Sequence, residues 1–148
     1  MGFHIEGAKL RVFRKFSHED RNSSVLSKSR FIVLEHLLPT TLEMINLLRA
    51  VGADIFAVVA KPYSINADVL RELESNGINV IKESYETLET TPILTSLLRD
   101  AIEACANDNR RMVILDVGGY FAKPLVDLST KKSIGKHLAG VVEDTTFG

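Results

Sequence analysis

Between Phe31 and Val142 the chain alternates five times between a short apolar run and a stretch with helical spacing. Runs of four to six residues, rich in β-branched and aromatic side chains, suit strands buried on both faces. The expected strands are Phe31–Leu34, Ile55–Ala60, Ile78–Ile81, Met112–Leu115 and Ala139–Val142. Leu42, Ile45, Leu48 and Val51 recur at helical spacing after Pro39, and Gly52 ends that helix. Lys61-Pro62-Tyr63-Ser64 is expected to turn the chain, with Ser64 or Asn66 capping a helix that carries Val69, Leu70 and Leu73. Lys82–Thr90 reads as a looser segment. Thr91-Pro92 then resembles a cap and first helical residue for the stripe Leu94, Leu97, Leu98, Ala101 and Cys105. One short helix with Leu125 and Leu128 is expected before the last strand.

Strands alternating with helices require right-handed crossovers and a parallel sheet covered on both faces. The expected fold is α/β: a three-layer α-β-α sandwich with a five-stranded parallel, Rossmann-like sheet in the order 3-2-1-4-5. A chain of 148 residues fits one such domain, and 45% hydrophobic with 25% charged residues is an ordinary globular composition. The division expected is a basic arm over residues 1–30 and the α/β domain over 31–148. The arm holds seven basic residues against three acidic ones, whereas the whole chain has a net charge of −1. That balance argues against a dedicated nucleic-acid binder. No apolar run is long enough to span a bilayer, and the single cysteine, Cys105, suits a reducing compartment. The expectation is a cytoplasmic protein.

Ligands of an open parallel sheet bind beyond the carboxyl ends of its strands, where the strand order reverses. Glu35 and His36 follow strand 1, Asp116 and Gly118-Gly119 follow strand 4, and Glu143, Asp144, Thr145 and Thr146 follow strand 5. The order 3-2-1-4-5 would bring an imidazole, carboxylates and hydroxyls to one crevice. His36 suits ligand contact or proton transfer near neutral pH. Asp116 suits either ribose hydroxyls or the backbone N–H groups of its own loop. No phosphate-loop motif, nucleophile elbow or zinc spacing is present, and Cys105 lies on an apolar stripe.

Three ordered motifs carry a family resemblance. Leu34-Glu35-His36-Leu37-Leu38-Pro39-Thr40-Thr41 matches a pattern C-x-H-M-T-x-x-T, followed at retained spacing by Val51-Gly52-Ala53. Met112-Val113-Ile114-Leu115-Asp116-Val117-Gly118-Gly119 matches M-I-L-D-D-G-G. Gly140-Val141-Val142-Glu143-Asp144-Thr145-Thr146-Phe147-Gly148 matches G-I-x-E-E-T-T-T-G. Residues 31–148 thus resemble the N-terminal part of the substrate domain of S-adenosylhomocysteine hydrolase. That family uses bound NAD to oxidise a ribose hydroxyl, which permits elimination of homocysteine and addition of water.

The resemblance implies a nucleoside site in one-carbon metabolism. His36 falls on the active-site histidine, and Asp144 on a substrate-binding glutamate. Asp116 and Glu143 fall beside the catalytic carboxylates, and Thr145 and Thr146 on threonines that touch NAD. It also implies departures. Val117 stands where the family has a catalytic aspartate, and Leu38 where it has a substrate-contacting threonine. The family's following lysine and aspartate and its cofactor domain are not in this sequence. The expectation is a truncated, non-catalytic substrate domain that binds a nucleoside or related small molecule. NAD would be implied only with the missing cofactor domain. The alternatives are a fragment of a longer NAD-dependent hydrolase-like enzyme, or an interaction domain with an unused crevice that serves a protein partner or a homo-oligomer.

Overall fold

A computed structural model describes residues 10–144. Five parallel strands, β1 (Ser29–Leu37), β2 (Asp54–Ile65), β3 (Val80–Ile81), β4 (Arg111–Asp116) and β5 (Leu138–Glu143), form one sheet in the order β3-β2-β1-β4-β5. The helices are α1 (Arg11–Ser17), α2 (Pro39–Ala50), α3 (Ala67–Ser75), α4 (Tyr85–Thr90), α5 (Ile93–Asp108), α6 (Ala122–Leu128) and α7 (Lys132–His137). They make this the expected three-layer α/β fold. No described helix is long and apolar enough to cross a membrane.

Local chemistry sets the helix ends. Pro39 opens α2, where a missing N–H costs nothing. The Asn66 side chain caps α3 by accepting from the N–H groups of Asp68 and Val69. Ser84 caps α4 by accepting from Thr87 N–H, so the expected loose segment contains a helix. Thr91 does not cap α5. Its hydroxyl donates back to the Thr87 carbonyl at 2.6 Å, and Pro92 takes the cap position without a side-chain bond. The single expected helix before β5 is two, α6 and α7.

Each face of the sheet carries one core. Ile32, Leu34, Ala57, Val59, Met112 and Ile114 point to the face covered by α4–α7. There they meet Leu88, Leu94, Leu98, Phe121 and Cys105, whose thiol pKa burial pushes up. Phe31, Val33, Leu37, Val58 and Ala60 point to the other face, against Leu42, Ile45 and Leu48 of α2 and Val69 and Leu73 of α3. The alternation of one strand between two cores is the period-2 geometry of β structure. The described part of the basic arm packs on this second face. Phe13 and Leu26 join its core, Leu10 N–H donates to Glu43 of α2 at 3.0 Å, and Arg14 forms an ion pair with Glu43.

A charged clamp closes the amino edge. The Arg30 guanidinium, nearly buried in β1, meets Asp54 at the start of β2 at 2.5 Å and Asp108 at the end of α5 at 2.8 Å. Arg110 also reaches Asp54 at 2.9 Å. Truncating one member of a buried ion-pair network exposes the desolvation cost of the others. Both aspartates stay partly exposed, which moderates that cost. Arg30→Ala should lower the unfolding free energy by about 2–3 kcal/mol in urea titrations. A change below about 0.5 kcal/mol would contradict the clamp.

Candidate functional site

The geometry of the carboxyl edge starts from a mismatch between β1 and β2. Glu35 pairs with Ala60 and Leu37 with Ile65, so Lys61–Ser64 lie opposite His36 alone. The expected turn at these residues is therefore a wide bulge inside a longer β2. Such an insertion re-aims side chains at the end of a sheet. It buries Lys61 and leaves Tyr63 exposed, with the Tyr63 ring 6.0 Å from that of His36.

Glu35 and His36 lie within β1 rather than after it, and Glu143 is the last residue of β5. Asp116 closes β4, paired laterally with Leu34 on one side and Glu143 on the other. These positions bring His36, Glu35, Asp116 and Glu143 to one end of the sheet. Burial raises the pKa of Glu35, and the charge of Asp144, just beyond β5, adds to that shift. Thr145 and Thr146 lie outside the described residues.

The groups differ in what they are free to do. Asp116 is buried, and its two carboxylate oxygens accept from Tyr120 N–H at 3.0 Å and Phe121 N–H at 2.8 Å. It fastens its own loop, the second of the two roles its position suggests. Glu143 accepts from Gly118 N–H at 3.1 Å and fastens the same loop from β5. Glu35 accepts from the N–H of His36 at 3.0 Å. The His36 carbonyl accepts from the Thr41 hydroxyl at 2.6 Å, which ties the end of β1 to α2. The imidazole ring lies 6.0 Å from the Tyr63 ring. Burial, helped by the nearby Lys61 charge, lowers its pKa below the usual value and favours the neutral ring.

Lys61, Tyr63, Tyr85 and Tyr120 escaped the sequence reading or stood only at its margin. His36, Tyr63, Tyr85 and Tyr120 form a row of rings, with successive centroids 6.0, 5.0 and 6.2 Å apart. Lys61 Nζ lies 4.8 Å from the Tyr120 ring centre and 5.9 Å from that of Tyr85, within cation–π range. A lysine and proline directly after the apolar run Ile55–Ala60 were the available signal for Lys61. Gly118, at φ +107°, gives these groups room, because a Cβ there would stand 3.0 Å from Lys61 Nζ and 3.0 Å from the Tyr120 ring. A cavity of about 730 Å³ opens beside them, between the α4–α5 segment and the loop after β4.

The first strand-to-helix turn of a doubly wound sheet holds a dinucleotide's pyrophosphate through free N–H groups and glycines. Here that turn is Leu37-Leu38-Pro39, and Leu38 N–H is already bonded to the His36 carbonyl at 3.0 Å. The described residues do not fit NAD at that position. Val117 is buried, apolar, and unable to hold or move a proton. Comparison of the chain with protein-family models and with curated proteins gives no match.

Two outcomes follow. Asp116→Asn replaces one acceptor oxygen by an amide that repels the N–H it faces. It should cost about 1–3 kcal/mol and speed exchange of the Tyr120 and Phe121 amides, read by urea titration and hydrogen exchange. Burial is the main cause that raises the pKa of Glu35 and of Asp116. The native state therefore holds their protons at pH values where the unfolded chain has lost them. Their contribution to stability rises as pH falls toward the ordinary carboxyl range. His36, with a lowered pKa, works in the opposite direction as pH falls through the ordinary histidine range. Between about pH 4 and 7, the stability of wild type minus that of Glu35→Gln should increase as pH falls. A difference that does not vary with pH would contradict the burial of Glu35.

Proposed function

We propose that this chain is a nucleoside-binding domain, similar to the substrate domain of S-adenosylhomocysteine hydrolase, that does not carry out hydrolysis by itself. The observation that carries this reading is the convergence of His36, Glu35 and Glu143 at one end of the sheet, beside the ring of Tyr63. Carboxylates accept hydrogen bonds from vicinal ribose hydroxyls, and an aromatic face offers a stacking surface to a base. The neutral imidazole of His36 offers one donor and one acceptor to the same ligand. Val117 takes catalysis of the family kind out of this reading, since the position opposite the sugar has no group to transfer a proton. The three motifs that resemble the family support the choice of a nucleoside over other small polar ligands.

Titration calorimetry with adenosine and with adenosylhomocysteine tests the proposal. Saturable binding in the micromolar to low-millimolar range is expected. His36→Ala should weaken it about tenfold, equivalent to about 1.4 kcal/mol, with an unchanged melting transition. Absence of saturable heat with both compounds would overturn it.

A further inference from the structure

Lys61 is the one group near the crevice whose chemistry the nucleoside reading leaves idle. Its side chain is buried with only 7% exposure. Among the described residues its ammonium makes no hydrogen bond or close ion pair, and the carboxylates of Glu35 and Asp116 feel its charge from farther away. An ammonium that neighbouring charges balance only from a distance still has N–H donors to offer. The rings of Tyr85 and Tyr120 satisfy it only in part, through their faces. The neighbouring carboxylates each fasten backbone N–H groups. Asp116 accepts from Tyr120 and Phe121, Glu143 from Gly118, and Glu35 from His36.

Two further unmet donors lie beside it. The Tyr85 hydroxyl is buried and meets no partner at hydrogen-bond geometry, and burial, then the neighbouring Tyr63, pushes its pKa up. Gly119 N–H meets no acceptor among the described residues, and successive positive φ values of +107° and +70° at Gly118 and Gly119 shape the loop. Lys61 and Gly119 line the same cavity of about 730 Å³. That volume lies in the range of small-molecule sites and exceeds what one ion or a few waters need. The cavity's other lysine, Lys123, is already paired with Asp127 at 2.5 Å. Lys61 is thus the lining cation without a close ion pair among the described residues, and the carboxylate of Glu89 lines the same cavity.

We infer that Lys61 and the Gly119 N–H form an oxyanion subsite, which takes the phosphate or carboxylate group of a ligand held in this cavity. An ammonium and a backbone N–H are complementary to such a group, and a charge-assisted bond is about twice as strong as a neutral one. The inference stands apart from nucleoside binding, because it concerns the cavity between the α4–α5 segment and the loop after β4.

Inorganic phosphate and acetate are the probes, titrated into the full chain and followed by NMR at the Gly119 amide and the Lys61 side chain. Saturable shifts centred on these two groups are expected with at least one probe. Phosphate alone points to a phosphorylated ligand, and acetate alone to a carboxylic acid. Lys61→Gln should weaken the binding about tenfold or more, whereas Lys61→Arg should retain most of it. Shifts that do not saturate, or that spread over surface lysines, mean an adventitious ion only and overturn the proposal. Equal affinity in a folded Lys61→Gln variant also overturns it. If that variant does not fold, the wild-type titration alone decides. Failure to bind adenosine with retained phosphate or acetate binding would remove the nucleoside reading and leave this subsite in place.

Discussion

Four residues of β2 facing one residue of β1 is the constraint on which the rest of the site depends. Parallel pairing holds from Arg30↔Asp54 to Glu35↔Ala60 with one further slip near Phe31, and then the ladder gives way. The bulge buries Lys61 instead of letting it reach water at the strand end. It also lifts Tyr63 toward His36 and lets β2 rejoin at Leu37↔Ile65, so that Asn66 can cap α3. A tight turn after Ala60 would have ended the strand and left Lys61 solvated on the surface. The aromatic row, the cation–π contacts and the position of Gly118 all follow from this one local excess of chain.

The loop after β4 is the counterpart across the switch point. It is held by carboxylates at both sides, Asp116 from its own strand and Glu143 from the next. Residues that look catalytic by type are thus used to make the floor of a crevice rigid. This pre-organises the groups around the loop, since little conformational freedom is left to lose on binding.

Most of the architecture was legible because apolar periodicity reports burial. A run such as Ile55–Ala60 flanked by helical stripes has few other solutions, and right-handed crossovers then restrict the strand order. The site was legible only in part. His36, Asp116 and Glu143 could be placed at one end of the sheet because strand ends in a known order converge. Lys61 was missed because its residue type and its proline neighbour both read as a surface turn, and the register slip that buries it is a tertiary property. The role of Asp116 stayed open until its two N–H donors were placed. Tyr85 and Tyr120 come from segments without a strong period, so nothing local marked them as neighbours.

The Arg30 clamp sits at the amino edge, and the crevice at the carboxyl edge. The Arg30 and Glu35 rows are five residues apart in β1, a distance of about 17 Å along the strand. Perturbations that far apart, with no shared partners, are energetically nearly independent. The two ends of the sheet can therefore accumulate substitutions under separate selection. A lineage built on this chain could exchange one ligand for another at the Lys61 end while the Arg30–Asp54–Asp108 end keeps the scaffold intact. Such a division leaves specificity free to drift on a conserved frame.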